Sequence, residues 1–126
     1  MPAKFRQEIG QTFVLTKGFD GCLFGFALHE WQTLERKLQS LPMTNKDARA
    51  ISRFFFGSAT QIELDKQGRM QLAPALLTYA NLERECVIVG VGTRIEIWNT
   101  AMWHAYNAAQ ADDMNAFAEN LMGFDL

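Results

Sequence analysis

The sequence predicts an α+β fold, β-rich, in which two pseudo-repeated β modules, each followed by amphipathic helices, share one core. Three observations lead there. Sliding the 126 residues along themselves by 72 aligns Pro2-Ala3 with Pro74-Ala75, Gly18 with Gly90, Leu23 with Ile95, Phe26 with Trp98 and Trp31 with Trp103, without a gap. These matches fall on Pro, Gly and large aromatics, where backbone shape or core volume narrows the choice. Their common order marks a duplicated module. Both copies then read alike: a Pro-initiated helical turn, a strand, a turn, a second strand and an amphipathic helix.

The strands of the first copy are "FVLTK" and "CLFGF", and those of the second are "CVIVG" and "RIEIW". All are rich in β-branched and aromatic residues that suit a pleated, half-buried surface. After the first pair, Leu28, Trp31, Leu34, Leu38 and Leu41 recur at steps of three and four, which predicts a helix from about His29 to Leu41, stopped by Pro42. Thr44 or Asn45 caps a second helix, with Asp47 in its first turn and Ala48, Ile51 and Phe55 on its inner face. In the second copy Thr100 opens a helix carrying Met102, Tyr106 and Ala109, and Met114, Phe117, Ala118 and Leu121 mark a last one. The expected division is a first module over residues 1–56, N-terminally incomplete, and a second over residues 57–126.

Composition bounds the function. The formal charge is −2, so a polyanion partner has to be met by a local patch rather than by the field of the whole molecule. Residues 1–73 hold ten Lys and Arg against seven Asp and Glu, whereas residues 100–126 hold four acidic residues and no Lys or Arg. An anion-binding face therefore belongs to the front of the chain. Cys22 and Cys86 stand in no C-x-x-C spacing and beside apolar, strand-like residues, which reads as reduced, buried thiols of a cytosolic protein, with a disulfide between them as the alternative. No apolar run approaches the roughly 18 residues that cross a bilayer, so neither secretion nor a membrane partner is expected.

The stretch "IELDKQGRMQLAP", residues 62–74, carries the candidate site. Asp65 to Gly68 has a turn composition, in which Asp accepts hydrogen bonds from N–H groups two residues on and Gly relieves the backbone. The flanks "QIEL" and "MQL" alternate, so a two-stranded ribbon is expected with Lys66, Gln67 and Arg69 projecting from its tip. Arg offers bidentate contact to phosphate or to a guanine edge, Lys a point charge, and Gln a pair of groups that can address adenine. Such a ribbon fits a major groove. As a bare composition, the same stretch marks a solvated turn in many folds.

Other chemistry finds no support. His29 and His104 lie near the starts of corresponding helices with no third ligand at metal-like spacing, so no metal or cofactor is expected. Cys22 sits among apolar residues that disfavour a thiolate nucleophile. No phosphate-binding Gly-rich loop and no nucleophile elbow occurs, so neither an enzyme nor a small-molecule substrate is expected. Phe54, Phe55 and Phe56 cannot all point inward from one helix, and at least one is expected to meet another subunit.

"ELDKQGRMQLAPALL" followed by "RECVIVGVGTRIEIW" resembles the second half of the MraZ family, and "KFRQEIGQTFVLTKGFDGCLFGFALHEW" resembles its first half. The likeness covers nearly the whole chain. It implies AbrB-like modules of the swapped-hairpin type, ring-shaped homo-oligomers, and a cytoplasmic, nucleoid-associated transcriptional regulator that binds direct repeats in the double-stranded promoter DNA of the division and cell-wall gene cluster. The family motif matches Asp65, Gln67, Gly68 and Arg69, with Lys66 inside it. On that footing Lys66, Gln67 and Arg69 face DNA, while Asp65 and Gly68 shape the turn. Carried back by 72 positions, the same stretch falls before and up to Met1, so the first copy lacks its counterpart here; a start site or boundary upstream is the preferred explanation, a real loss the other. The second functional reading is an oligomeric interaction or scaffold protein that lost DNA binding with that first-copy motif.

Overall fold

The computed structural model describes residues 1–124. Along the chain the elements are α1 (Ala3–Ile9), β1 (Thr12–Lys17), β2 (Leu23–Ala27), α2 (Leu28–Gln39), α3 (Lys46–Ser58), β3 (Thr60–Glu63), α4 (Pro74–Tyr79), β4 (Cys86–Val91), β5 (Arg94–Asn99), α5 (Thr100–Gln110) and α6 (Met114–Asn120). The repeat order is realised. Pro2 and Pro74 each open a short helix, for which the fixed proline φ is preorganised. Asn45, rather than Thr44, caps α3, its Oδ1 accepting the Ala48 N–H at 3.1 Å. Asn99 does the same for α5 through the Met102 N–H at 2.9 Å.

One antiparallel sheet of five strands, ordered β3-β1-β2-β5-β4, holds the molecule together. Its centre joins the two copies. On β2 and β5, Leu23 pairs with Ile97, Phe24 with Glu96 and Gly25 with Ile95. Shifted by 72, Leu23 corresponds to Ile95, Phe24 to Glu96 and Gly25 to Ile97, so a pseudo-two-fold axis passes through the Phe24–Glu96 pair. The approach is close because residue 25 has no side chain: a Cβ there would lie 2.8 Å from Ile95 Cγ1. At one end β3 pairs with β1, so a strand from after the first copy's helices completes the first copy's hairpin. This interleaving agrees with the swapped arrangement that the resemblance implies. At the other end β4 has no outer neighbour among the described residues.

Alternation along the strands builds two cores. Phe13, Leu15, Leu23, Ile62, Ile95 and Ile97 face α1 and α4, whose Ile9 and Leu76 close that side. Val14, Phe24, Phe26 and Trp98 face the other helices, where Trp31, Leu38 and Phe55 cover them. Because β1 and β2 are covered on both faces, they are continuous apolar runs rather than alternating ones. Losing the fully buried Phe13 ring to Ala would cost about 3–5 kcal/mol.

Three expectations are corrected. Cys22 closes the turn before β2 instead of beginning the strand. Cys86, expected to be buried, is exposed, because it is the first residue of β4, a strand at the edge of the sheet; both cysteines are free thiols. The second strand of the ribbon does not form: residues 70–72 run without ladder pairing, since Met70 and Leu72 turn onto the core and the chain leads directly into α4.

Candidate nucleic-acid interface: the Asp65–Arg69 turn

Strand β3 delivers the turn. Its ladder with β1 is extended by the Leu64 N–H, which donates to the Gln11 carbonyl at 2.9 Å, and Leu64 is buried as an anchor. The next five residues close on themselves. The Asp65 N–H donates to the Arg69 carbonyl at 2.9 Å and the Gly68 N–H to the Asp65 carbonyl at 3.0 Å. Within that loop the Asp65 carboxylate accepts the N–H groups of Gln67 and Arg69 through Oδ1, both at 2.9 Å. Its Oδ2 accepts Arg69 Nε at 3.1 Å.

These donors, the Arg69 backbone N–H foremost and then the Gln67 N–H and the Arg69 side chain, hold the Asp65 carboxyl below its ordinary pKa. Asp65 is therefore a charged brace at neutral pH. Gly68 is required by geometry: its φ is +76°, and a Cβ would lie 2.8 Å from Arg6 Nη1. Arg6 is held beneath the turn with its Nε buried and unpartnered. The three other side chains point away. Lys66 and Gln67 are exposed, and the Arg69 side chain keeps 74% of its surface in solvent although its Nε is engaged. A brace on Nε restrains the plane of the guanidinium without occupying its Nη groups.

So the five residues singled out in the sequence come together in one turn, on one strand and a backbone loop rather than on a two-stranded ribbon. The remaining candidates lie elsewhere. His29 is exposed and 3.3 Å from Glu30, and among the described residues no cluster of three or more His, Cys, Asp and Glu could hold a metal ion. Phe54, Phe55 and Phe56 all make contacts within the chain. Phe54 stacks on Phe19, Phe55 on Phe24, and Phe56 meets Trp31 edge to face while remaining 39% exposed. Arg94 is committed to the centre of the sheet: its guanidinium lies 4.4 Å above the Phe24 ring and 2.9 Å from Glu96. No helix among the described residues is long and apolar enough to cross a membrane.

A basic helical surface escaped the sequence reading. Between residues 36 and 53 stand Arg36, Lys37, Lys46, Arg49 and Arg53 against Asp47 alone, all on α2 or α3. The signal was the clustering of positive charge along residues 36–53.

A two-copy α+β sheet protein that holds out a carboxylate-braced basic turn is the class these features define. Comparison with known proteins gives the family. The model of the family described as "MraZ protein, putative antitoxin-like" matches twice, over residues 1–54 and 55–125. The chain is 50% identical over 126 residues to "Transcriptional regulator MraZ" of Ligilactobacillus salivarius (strain UCC118), spanning 100% of this chain and 88% of that one. It is 50% identical over 121 residues to "Transcriptional regulator MraZ" of Limosilactobacillus reuteri (strain DSM 20016), spanning 96% and 85%. The chain belongs to the MraZ family of transcriptional regulators.

Proposed function

We propose that the protein is a sequence-specific DNA-binding regulator that grips direct repeats in promoter DNA, those of the division and cell-wall gene cluster, as a ring-shaped homo-oligomer. Lys66, Gln67 and Arg69 are its DNA contacts, and Asp65 and Gly68 shape the turn that carries them. The observation that supports this reading is the braced turn itself, with Arg69 oriented by Asp65 and three-quarters exposed. A single turn with two cations binds weakly. Several turns in one assembly, each meeting a repeated site, gain effective concentration, and avidity can rise by about a hundredfold or more. A chain with a net charge of −2 can hold DNA in this way.

The test is a titration of direct-repeat promoter DNA at low and moderate salt. Wild-type protein should bind with a steep salt dependence, the logarithmic slope growing by about 0.9 for each phosphate contact. Arg69→Ala should lose about tenfold or more in affinity while keeping its melting temperature and assembly state. Unchanged binding by Arg69→Ala removes this reading. Absence of binding by the wild-type oligomer favours an interaction or scaffold role.

A further inference from the structure

The turn that carries Lys66, Gln67 and Arg69 belongs to the second copy, yet it rests on a side chain of the first. Helix α1 is fastened to the sheet on both sides of Arg6: Phe5 packs against the core, where a Cβ on residue 90 would lie 3.1 Å from its Cε1, and Ile9 is buried in the same cluster. The Arg6 backbone is thereby held in place. Its side chain reaches the turn, where a Cβ on residue 68 would lie 2.8 Å from Nη1, 2.9 Å from Cζ and 3.0 Å from Nε. Three nearly equal distances put the flat guanidinium alongside the Gly68 backbone, one residue from Arg69.

That guanidinium has no counter-charge in the free protein. The ion pairs among the described residues join His29 to Glu30, Arg69 to Asp65 and Arg94 to Glu96, and none includes Arg6. Its Nε is buried without an acceptor, although the residue as a whole keeps part of its surface in solvent. A guanidinium cannot shed its charge by losing a proton, so the cost of the unmet donor stands until an anion arrives. Packing does not demand an arginine here. Shifted by 72, Arg6 corresponds to Thr78, an exposed residue of α4, and α4 covers the same core through Leu76 with no cation at that position.

We infer that Arg6 is a further DNA contact, donating to a backbone phosphate beside the bases met by the Lys66–Arg69 turn, so that one binding face is assembled from both copies. The inference rests on the DNA-binding reading above and adds a residue to that site. Phosphate contacts set position and carry no sequence information, so Arg6 contributes affinity on any duplex. With Arg6 included, three cations surround the turn against the single carboxylate of Asp65, which is already engaged.

Arg6→Gln tests it, with Arg6→Lys as the variant that keeps the charge and Lys4→Gln as the control that removes an exposed charge from the same helix. Titrated across a salt series, Arg6→Gln should bind direct-repeat DNA and unrelated duplex alike about tenfold more weakly. Its logarithmic salt slope should be shallower by about 0.9, one phosphate contact fewer. Arg6→Lys should recover most of the slope, and Lys4→Gln should stay near wild type. The amide resonances of Gln67 and Arg69 should hold their positions in free Arg6→Gln, which shows the turn intact. Unchanged affinity and slope in Arg6→Gln, beside lost binding in Arg69→Ala, overturns the inference and leaves the DNA-binding reading standing. Displaced amides with lost binding also overturn it, because Arg6 would then only prop up the turn. So does an equal loss in Lys4→Gln, which would trace the effect to overall charge. Failure of the wild-type protein to bind either duplex sinks the DNA-binding reading itself.

Discussion

Asp65 and Arg69 are joined twice: Oδ1 accepts the Arg69 backbone N–H at 2.9 Å, and Oδ2 accepts the Arg69 Nε at 3.1 Å. One carboxylate therefore both closes the turn and aims the side chain that leaves it. An exposed ion pair of this kind contributes little to global stability. Its consequence lies in preorganisation, since a guanidinium already oriented loses less freedom on binding.

Replacement of Asp65 separates geometry from charge. Removing a carboxylate beside a phosphate-binding group raises affinity if Coulomb attraction is all that matters. If the brace matters more, Asp65→Ala weakens promoter binding by about tenfold, or about 1.4 kcal/mol, despite the more favourable charge. Asp65→Asn, which keeps an acceptor for the two backbone N–H groups, falls between that variant and wild type. Fluorescence anisotropy with labelled direct-repeat DNA reads the order; tighter binding by Asp65→Ala contradicts it.

Acid should loosen the turn. The folded-state pKa of Asp65 is lowered from 3.8, so its contribution to turn order is complete above that value and is lost as pH falls below it through the folded-state pKa. Amide resonances of Gln67 and Arg69 are expected to shift together below pH 3.8 and to stay constant between there and neutrality. A midpoint above 3.8 would mean that the N–H bonds are not made in solution.

Thr16 is fully buried in β1, and its Oγ1 lies 3.2 Å from the Phe55 carbonyl and 2.7 Å from Ser58 Oγ. These bonds fasten the end of α3 to the sheet, and Ser58 Oγ also accepts the Lys17 N–H at 3.0 Å. Thr16→Val keeps the volume and removes the hydroxyl, for an expected loss of about 1–2 kcal/mol in chemical denaturation. A stability equal to wild type would show that the hydroxyl network contributes nothing.

The two thiols should react very differently. Burial, followed by the charges of Glu96 and Asp20, pushes the Cys22 thiol up to about 12, whereas Cys86 is exposed. At neutral pH a thiol-specific reagent should label Cys86 promptly and Cys22 only on unfolding. Because the folded value lies above the unfolded value near 9, stability linked to Cys22 is intact below pH 9 and declines as pH rises from there toward 12. Rapid labelling of both cysteines in the native protein would contradict the burial of Cys22.

Much of the fold was legible because it depends on short-range pattern. The β-branched and aromatic runs placed β1, β4 and β5, the three-and-four spacing placed α2 and α3, and Asn45 marked a helix start. The misreadings arose where tertiary contacts decide. Met70 and Leu72 alternate like a strand, yet alternation does not supply a neighbour, and the core draws both side chains inward. Cys86 sits in an apolar run whose exposure comes from its place at the sheet edge, which only the strand order reveals. For the candidate site, Asp65 and Gly68 advertised the turn by residue type; the Asp65–Arg69 brace and the Arg6 guanidinium beneath Gly68 involve rotamers and distant segments that no local spacing encodes.

The axis at Phe24 and Glu96 has a further implication. In a dimer of identical chains, the residue on the diad faces itself, so the choice there is aromatic against aromatic or carboxylate against carboxylate, and the second is repulsive. Joining two copies in one polypeptide lifts that restriction. A phenyl ring faces a carboxylate, and a single guanidinium, that of Arg94, bridges them without needing a twin. Covalent linkage thereby lets the two halves drift into unlike roles, one with a second helix packed on the core through Phe55 and one whose last helix is exposed throughout, while a common sheet keeps them in register.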